Sequence, residues 1–182
     1  GLYIEGTQIA ASSQLPLNQW SHVAATFSGG TGTIYINGIA SGSGTFPTPA
    51  NVVRNLNYIG RSNWGTGDPD ANAIYDELRI WNIAKSPAQI LAQMNSQLTG
   101  TEPGLQVYFP FNQGVACGDN TSITHALDLA PAGGGLPGMC SRWPSSVCAS
   151  RARHDPERLG AVRIEDARPR RGLHLHHRRL DL

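Results

Sequence analysis

Cysteine, methionine and lysine are scarce in this chain, and no long apolar run is present. Of 182 residues three are Cys and two are Met, and Lys85 is the single lysine among 14 basic residues. Cys117, Cys140 and Cys148 form an odd set without Cys-x-x-Cys spacing, which excludes a zinc ribbon or a thioredoxin-type motif and leaves the redox compartment open. No stretch of about 18 apolar residues occurs, so no membrane-spanning helix is expected. A Ser/His/Asp order, a phosphate-binding glycine loop and a His-x-x-x-His pattern are all missing, which removes the enzyme classes that such short motifs reveal.

What the chain does have is glycine, 21 residues of it, together with 12 prolines scattered among Ser, Thr and Asn. That is the composition of many short strands joined by turns, and the length suits a main domain with a sizeable core. The net charge of +1 conceals a division along the chain. Residues 1–150 carry five basic and eight acidic groups, a net of −3, whereas residues 151–182 carry nine arginines and five acids, a net of +4.

Periodicity places the elements. The segment "WSHVAATF" (20–27) alternates as a strand, "GGTGT" is a tight turn, and "TIYINGIASGS" (33–43) is two strands around Asn37-Gly38, a hairpin signal because both turn residues need positive φ. "LNYIGRS" (56–62), "AIYDELRIWN" (73–82) and "LQVYFPF" (105–111) read as further strands. A single helix is predicted over 86–98. Ser86 is its N-cap, Pro87 its first residue and Gln89 the third residue of a capping box, while Ile90, Leu91, Met94 and Leu98 form its apolar stripe. Strands, one short helix and another strand, at this spacing, point to an all-β sandwich.

Several ordered motifs then resemble a known family. "LPLNQWSHVAATFSGGTGTIYINGIASGSG" is similar to the W-x-H-V-A strand and L-Y-V-N-G hairpin of the concanavalin A-like, LamG-type jelly roll, whose outline pentraxins share. "NYIGRSNW" followed by "YDELRIWNIAKSPAQILAQM" resembles that family's I-G-R strand, its I-D-E-V-R-I-Y-N strand and the short helix after it. The resemblance covers roughly residues 1–115 and implies a jelly-roll β-sandwich with one short helix. Family members have further strands before the W-x-H-V-A strand, so the resemblance also implies a domain lacking its N-terminal strands within a longer parent chain. The expected layout is a LamG-like domain over 1–130 and an irregular tail over 131–182, disordered or read from a shifted frame. That tail, "RARHDPERLGAVRIEDARPRRGLHLHHRRLDL" in its last part, has no aromatics among its arginines, so a nucleic-acid partner is not expected.

Asp76 and Glu77 pose the sharpest question about chemistry. Neighbours on a strand point to opposite faces, so they cannot flank a glycosidic bond, which needs two facing carboxyls about 5–10 Å apart. Asp76 is therefore read as a buried or half-buried scaffold acid, and Glu77 as a partner of Arg79 on the opposite face, a pair worth under ~1 kcal/mol if exposed. His22 is read as a packed histidine rather than a base. In the loop "GDPDANA", Asp68, Asp70 and Asn72 stand in the D-x-D-x-N rhythm that can supply oxygen ligands to calcium, although Ala73 and Arg79 replace the Gly and Glu of an EF-hand. Asn63 and Trp64 in the same loop are the candidate ligand platform, the alternative being that Trp64 only covers the loop. The resemblance implies a non-catalytic extracellular or cell-surface module that binds a glycan or an extracellular protein through rim loops, with calcium as a candidate cofactor. Two alternatives stay open: a glycoside hydrolase or lyase whose catalytic residues lie elsewhere, and a structural spacer repeat.

Overall fold

A computed structural model of the chain describes residues 1–53, 57–61, 71–115, 119–120, 122–123 and 125–130, and the backbone of 138–139 and 161–164. Two-residue turns organise the first quarter. β1 (Leu2–Ile4) turns at Glu5-Gly6 into β2 (Thr7–Ile9), β3 (Trp20–Ser28) turns at Gly29-Gly30 into β4 (Thr31–Ile36), and β4 turns at Asn37-Gly38 into β5 (Ile39–Thr45). Both residues of each turn have positive φ, from 45° to 84°, which is the geometry whose twist matches antiparallel strands. The Asn37 turn is also tied to β3: Asn37 Oδ1 accepts the His22 N–H at 2.8 Å, and the Asn37 N–H donates to the His22 carbonyl at 2.8 Å.

Two close approaches fix how other segments lie on these hairpins. At Gly42 a Cβ would sit 2.3 Å from the Ala10 carbonyl oxygen, so the 10–12 segment can run directly against β5 only because no side chain intervenes. Ser12 donates its N–H to the Ser41 carbonyl there, and the two hydroxyls meet at 3.0 Å beside a bulge between Ile34 and Tyr35. At Gly38 a Cβ would lie 2.8 Å from Leu91 Cδ1, so the hairpin tip packs against the helix. Leu2, Ile4, Ile34 and Phe46 make the first apolar cluster, with Phe27 edge-on to Phe46 at 6.4 Å.

The segment predicted as one strand over 73–82 is two. β6 (Ala73–Tyr75) and β7 (Leu78–Trp81) belong to different sheets, and Glu77 between them has φ of +55°. A left-handed residue cannot continue the pleat, so the alternation expected across Asp76 and Glu77 is interrupted there. No strand forms over 57–61 either: Gly60 bends the chain at φ of +74° under the Tyr75 ring.

α1 (Pro87–Gln93) has the predicted start. Ser86 Oγ accepts the Gln89 N–H and Gln89 Oε1 accepts the Ser86 N–H, at 3.3 and 2.9 Å. It ends at Gln93 rather than Leu98, because Arg79 Nη1 donates to the Gln93 carbonyl at 2.9 Å and Nη2 donates to the Ser96 carbonyl, taking up acceptors that a further turn would have used. Of the predicted stripe Ile90 is buried, Met94 and Leu98 are half-buried, and Leu91 is 55% exposed beside the hairpin tip. β8 (Leu105–Phe109) pairs antiparallel with β7, and Leu105, Tyr108 and Ala130 form a second core cluster with Trp81 and Leu98.

β9 (His125–Ala126) pairs with β10 (Gly138–Met139), and β11 (Ala161–Ile164) lies between β3 and β6, completing the sheet order β5-β4-β3-β11-β6. The region expected as an irregular tail thus contributes β10 and β11, and the rest of 131–182 lies outside the described residues.

Candidate functional site

The loop that carries most of the predicted ligand groups leaves the fold at a defined neck. The Ala71 N–H donates to the Gly60 carbonyl at 2.7 Å, joining the two sides of the loop. On one side Tyr58 and Ile59 are about half exposed, and the Arg61 guanidinium lies 5.3 Å above the Tyr58 ring. On the other side Asn72 is exposed, immediately before β6. Asn63, Trp64, Asp68 and Asp70 lie outside the described residues. Among the described residues no three of His, Cys, Asp and Glu converge as a metal cluster, and Asn72 is the one predicted calcium ligand among them.

The acids at the β6–β7 crossover are organised differently from the expectation. Asp76 is half-buried and its Oδ1 accepts the Glu77 N–H at 3.1 Å, the scaffold role expected of it. Glu77, expected to pair with Arg79 on the face opposite Asp76, is 4% exposed. Its Oε2 accepts from Arg79 Nη2 at 2.9 Å and from the Tyr108 hydroxyl at 2.8 Å. Glu77 has positive φ, its carboxylate is neutralised by Arg79, and the Arg79 guanidinium lies 5.9 Å from the Tyr108 ring centroid. Burial, and then the hydrogen bond to the Glu77 carboxylate, push the Tyr108 phenol well above its usual range, so it stays a donor. The Tyr108 hydroxyl also accepts the Leu98 N–H at 3.3 Å. One ion pair thus ties together β7, β8 and the segment after α1.

His22 lies within the electrostatic reach of this group. Burial, reinforced by the Arg79 charge, lowers its pKa to about 4, and its Nδ1 is buried with no hydrogen-bond partner among the described residues. A neutral, packed imidazole is the expected state, as the sequence indicated. Two further acids have structural duties that the sequence did not reveal. Asp128 is buried and its Oδ1 accepts the N–H groups of Tyr108 and Ala130, each at 2.9 Å. For Glu102 burial acts to raise the pKa, but hydrogen bonds from the Thr99 and Gly100 N–H groups and the Thr99 hydroxyl outweigh it and hold the carboxyl low. A signal for Asp128 did exist: in "HALDLA" the alternation places Asp128 in phase with Ala126 and Ala130, and the two leucines face outward.

Trp81 packs against the second core cluster, and the Lys85 ammonium lies 3.6 Å from its ring centroid. Its contacts serve the fold.

These strands, turns and the capped helix define a class. Residues 2–91, from β1 into α1, match the laminin G-type model of the concanavalin A-like lectin/glucanases superfamily. That stretch belongs to the superfamily, and the chain has its all-β architecture of antiparallel sheets with one short helix among the described residues. No curated protein and no solved structure shows a significant match to the chain. A domain of this class fits a carbohydrate- or protein-binding module, and no helix among the described residues is long and apolar enough to cross a membrane.

Proposed function

We propose that the chain is a non-catalytic recognition module of a secreted or cell-surface protein, binding a carbohydrate or protein ligand through rim loops. The observation that carries this reading is the neck of the 61–71 loop. The Gly60–Ala71 hydrogen bond gives the loop a fixed base, and Tyr58 and Arg61 stand exposed beside it. Function placed on a loop over a rigid sandwich is the ordinary arrangement for such folds. Within the loop, Trp64 and Asn63 supply the aromatic and amide contacts, and Asp68, Asp70 and Asn72 supply oxygen ligands to a calcium ion that orders the loop.

Binding is favoured over hydrolysis by how the described acids are used. A retaining or inverting glycosidase needs two free carboxyls facing across the substrate. Glu77 is enclosed by Arg79 and Tyr108, Asp128 holds two backbone N–H groups, and Glu102 closes a turn. The test is binding of the full chain to a glycan array in calcium, wild type beside W64A. The expected result is a restricted set of bound glycans, with W64A weakened at least about tenfold, as the loss of one stacking aromatic implies. Binding unaffected by W64A would contradict the rim-loop reading, and cleavage of any arrayed glycan would contradict the non-catalytic one.

A further inference from the structure

Past Phe46, which lies in the first apolar cluster, the chain carries apolar side chains on its surface. Val52 is about half exposed and Val53 is 90% exposed, and further on Tyr58 and Ile59 are each about half exposed. None of the four belongs to either core cluster. One exposed apolar side chain needs no explanation, but several along one stretch of chain mark a contact surface. Arg61 follows Val53 by eight positions, so the two lie at most about 29 Å apart, within reach of one short extended peptide.

The backbone that presents these groups is pinned at Gly60. Its carbonyl accepts the Ala71 N–H at 2.7 Å, and it lies against the Tyr75 ring, where a Cβ would come within 3.2 Å of a ring carbon. Tyr58 and Arg61 flank this fixed point, and the guanidinium lies 5.3 Å from the Tyr58 ring centroid. Arg61 has no acidic partner among the described residues. From residue 6 to residue 67 the sequence holds no Asp or Glu, and its charged residues there are Arg54 and Arg61. On the proposed reading the acids that follow, Asp68 and Asp70, are taken up by calcium. An exposed arginine of this kind offers a planar fork of donors to an incoming carboxylate.

We propose that Val52, Val53, Tyr58, Ile59 and Arg61 form a docking surface for an acidic polypeptide segment. A carboxylate of the segment pairs with Arg61, and its apolar side chains cover the two valines and Ile59. The apolar groups decide the class of partner. Sugar hydroxyls laid on Val52, Val53 and Ile59 would give up hydrogen bonds to water with none in return, whereas apolar side chains gain by leaving water. The ring contact and the pinned backbone limit the freedom that Arg61 loses on binding. The surface goes beyond the rim-loop reading: Asn63 and Trp64 contact that reading's ligand, and the flank of the loop takes a polypeptide of its own.

The test selects random peptides of about a dozen residues on the full chain. Enriched sequences should carry Asp or Glu beside an apolar residue. One of them is then synthesised and its affinity measured for the wild type, R61E, V53S and W64A. R61E should weaken binding at least about tenfold, because reversal sets like charges together, and V53S at least about threefold. The same peptide with its acid replaced by lysine should recover binding to R61E, which reads the pairing separately from any loss of fold. W64A should bind the peptide as the wild type does. No enrichment, enrichment of peptides without an acid, or binding that R61E and V53S leave unchanged would overturn the proposal. Equal losses in W64A and R61E would also overturn it, because the peptide would then occupy the rim-loop site. So would self-association of the wild type that R61E dissolves, since the acid would then belong to a second copy. Peptide binding is read without any glycan, so failure of the rim-loop reading leaves this surface standing.

Discussion

A buried imidazole beside a guanidinium is a liability that only neutrality makes tolerable, and His22 is held neutral in this way. Its pKa in the fold, about 4, lies below the value of about 6.5 that it has when unfolded, so between those values the unfolded chain binds the additional proton. The sign follows: the stability associated with His22 is fully present above pH 6.5 and is lost as pH falls toward 4. After allowance for its partial exposure the loss between pH 7 and pH 5 is roughly 1 kcal/mol. Denaturant titrations of the wild type and H22Q at the two pH values check this, with the slope expected to be smaller in H22Q. Equal slopes would mean that other groups carry the acid sensitivity.

At the scale of elements, the crossover from β6 to β7 determines how two sheets and the helix meet. Asp76 and Glu77 mark the point where the chain leaves the sheet of β3, β4 and β5 and joins β8, and Arg79 then fastens β7 to the end of α1 through the Gln93 and Ser96 carbonyls. Removing Glu77 leaves the Arg79 charge buried without a counterion. E77A should therefore lower the unfolding free energy by about 3–5 kcal/mol, whereas Y108F, which keeps the ion pair, should cost about 1 kcal/mol. Chemical denaturation of the three proteins decides the matter, and an E77A loss below that of Y108F would contradict the buried-pair account.

The same crossover shows how far the sequence could be read. The Asn37-Gly38 hairpin, the β3 strand and the Ser86 capping box were legible because each depends on local chemistry: positive φ, alternation, and a hydroxyl three residues before an amide. The Glu77–Arg79 pair was legible as a pair but not as a buried one. Alternation assumes an unbroken strand, and a single left-handed residue at Glu77 reverses which face is covered. Asp128 and Tyr108 are 20 residues apart in the chain, so no local pattern foretold their contact. Of the candidate site, the neck at Gly60 and Ala71 is visible, and its two sides come from segments whose likeness to a family block had already suggested a loop between them.

For the molecule as a whole, the turns and tied strands make the base from which, on the proposed reading, the 61–71 loop presents its recognition groups. Two apolar clusters hold that base, one under the β1–β2 hairpin and one behind β7 and β8, while the acids between them serve the fold. On the proposed reading the loop over 61–71 holds a calcium ion, and an ion held only by the folded chain would raise its stability. The most direct measurement is a thermal melt of the full chain in excess calcium and again after EDTA, repeated for the variant combining D68A and D70A. The account predicts a cooperative melt that calcium raises by several degrees in the wild type and leaves unmoved in the variant. A midpoint indifferent to calcium in both proteins, or raised equally in both, would contradict an ion-ordered recognition loop at Asp68, Asp70 and Asn72.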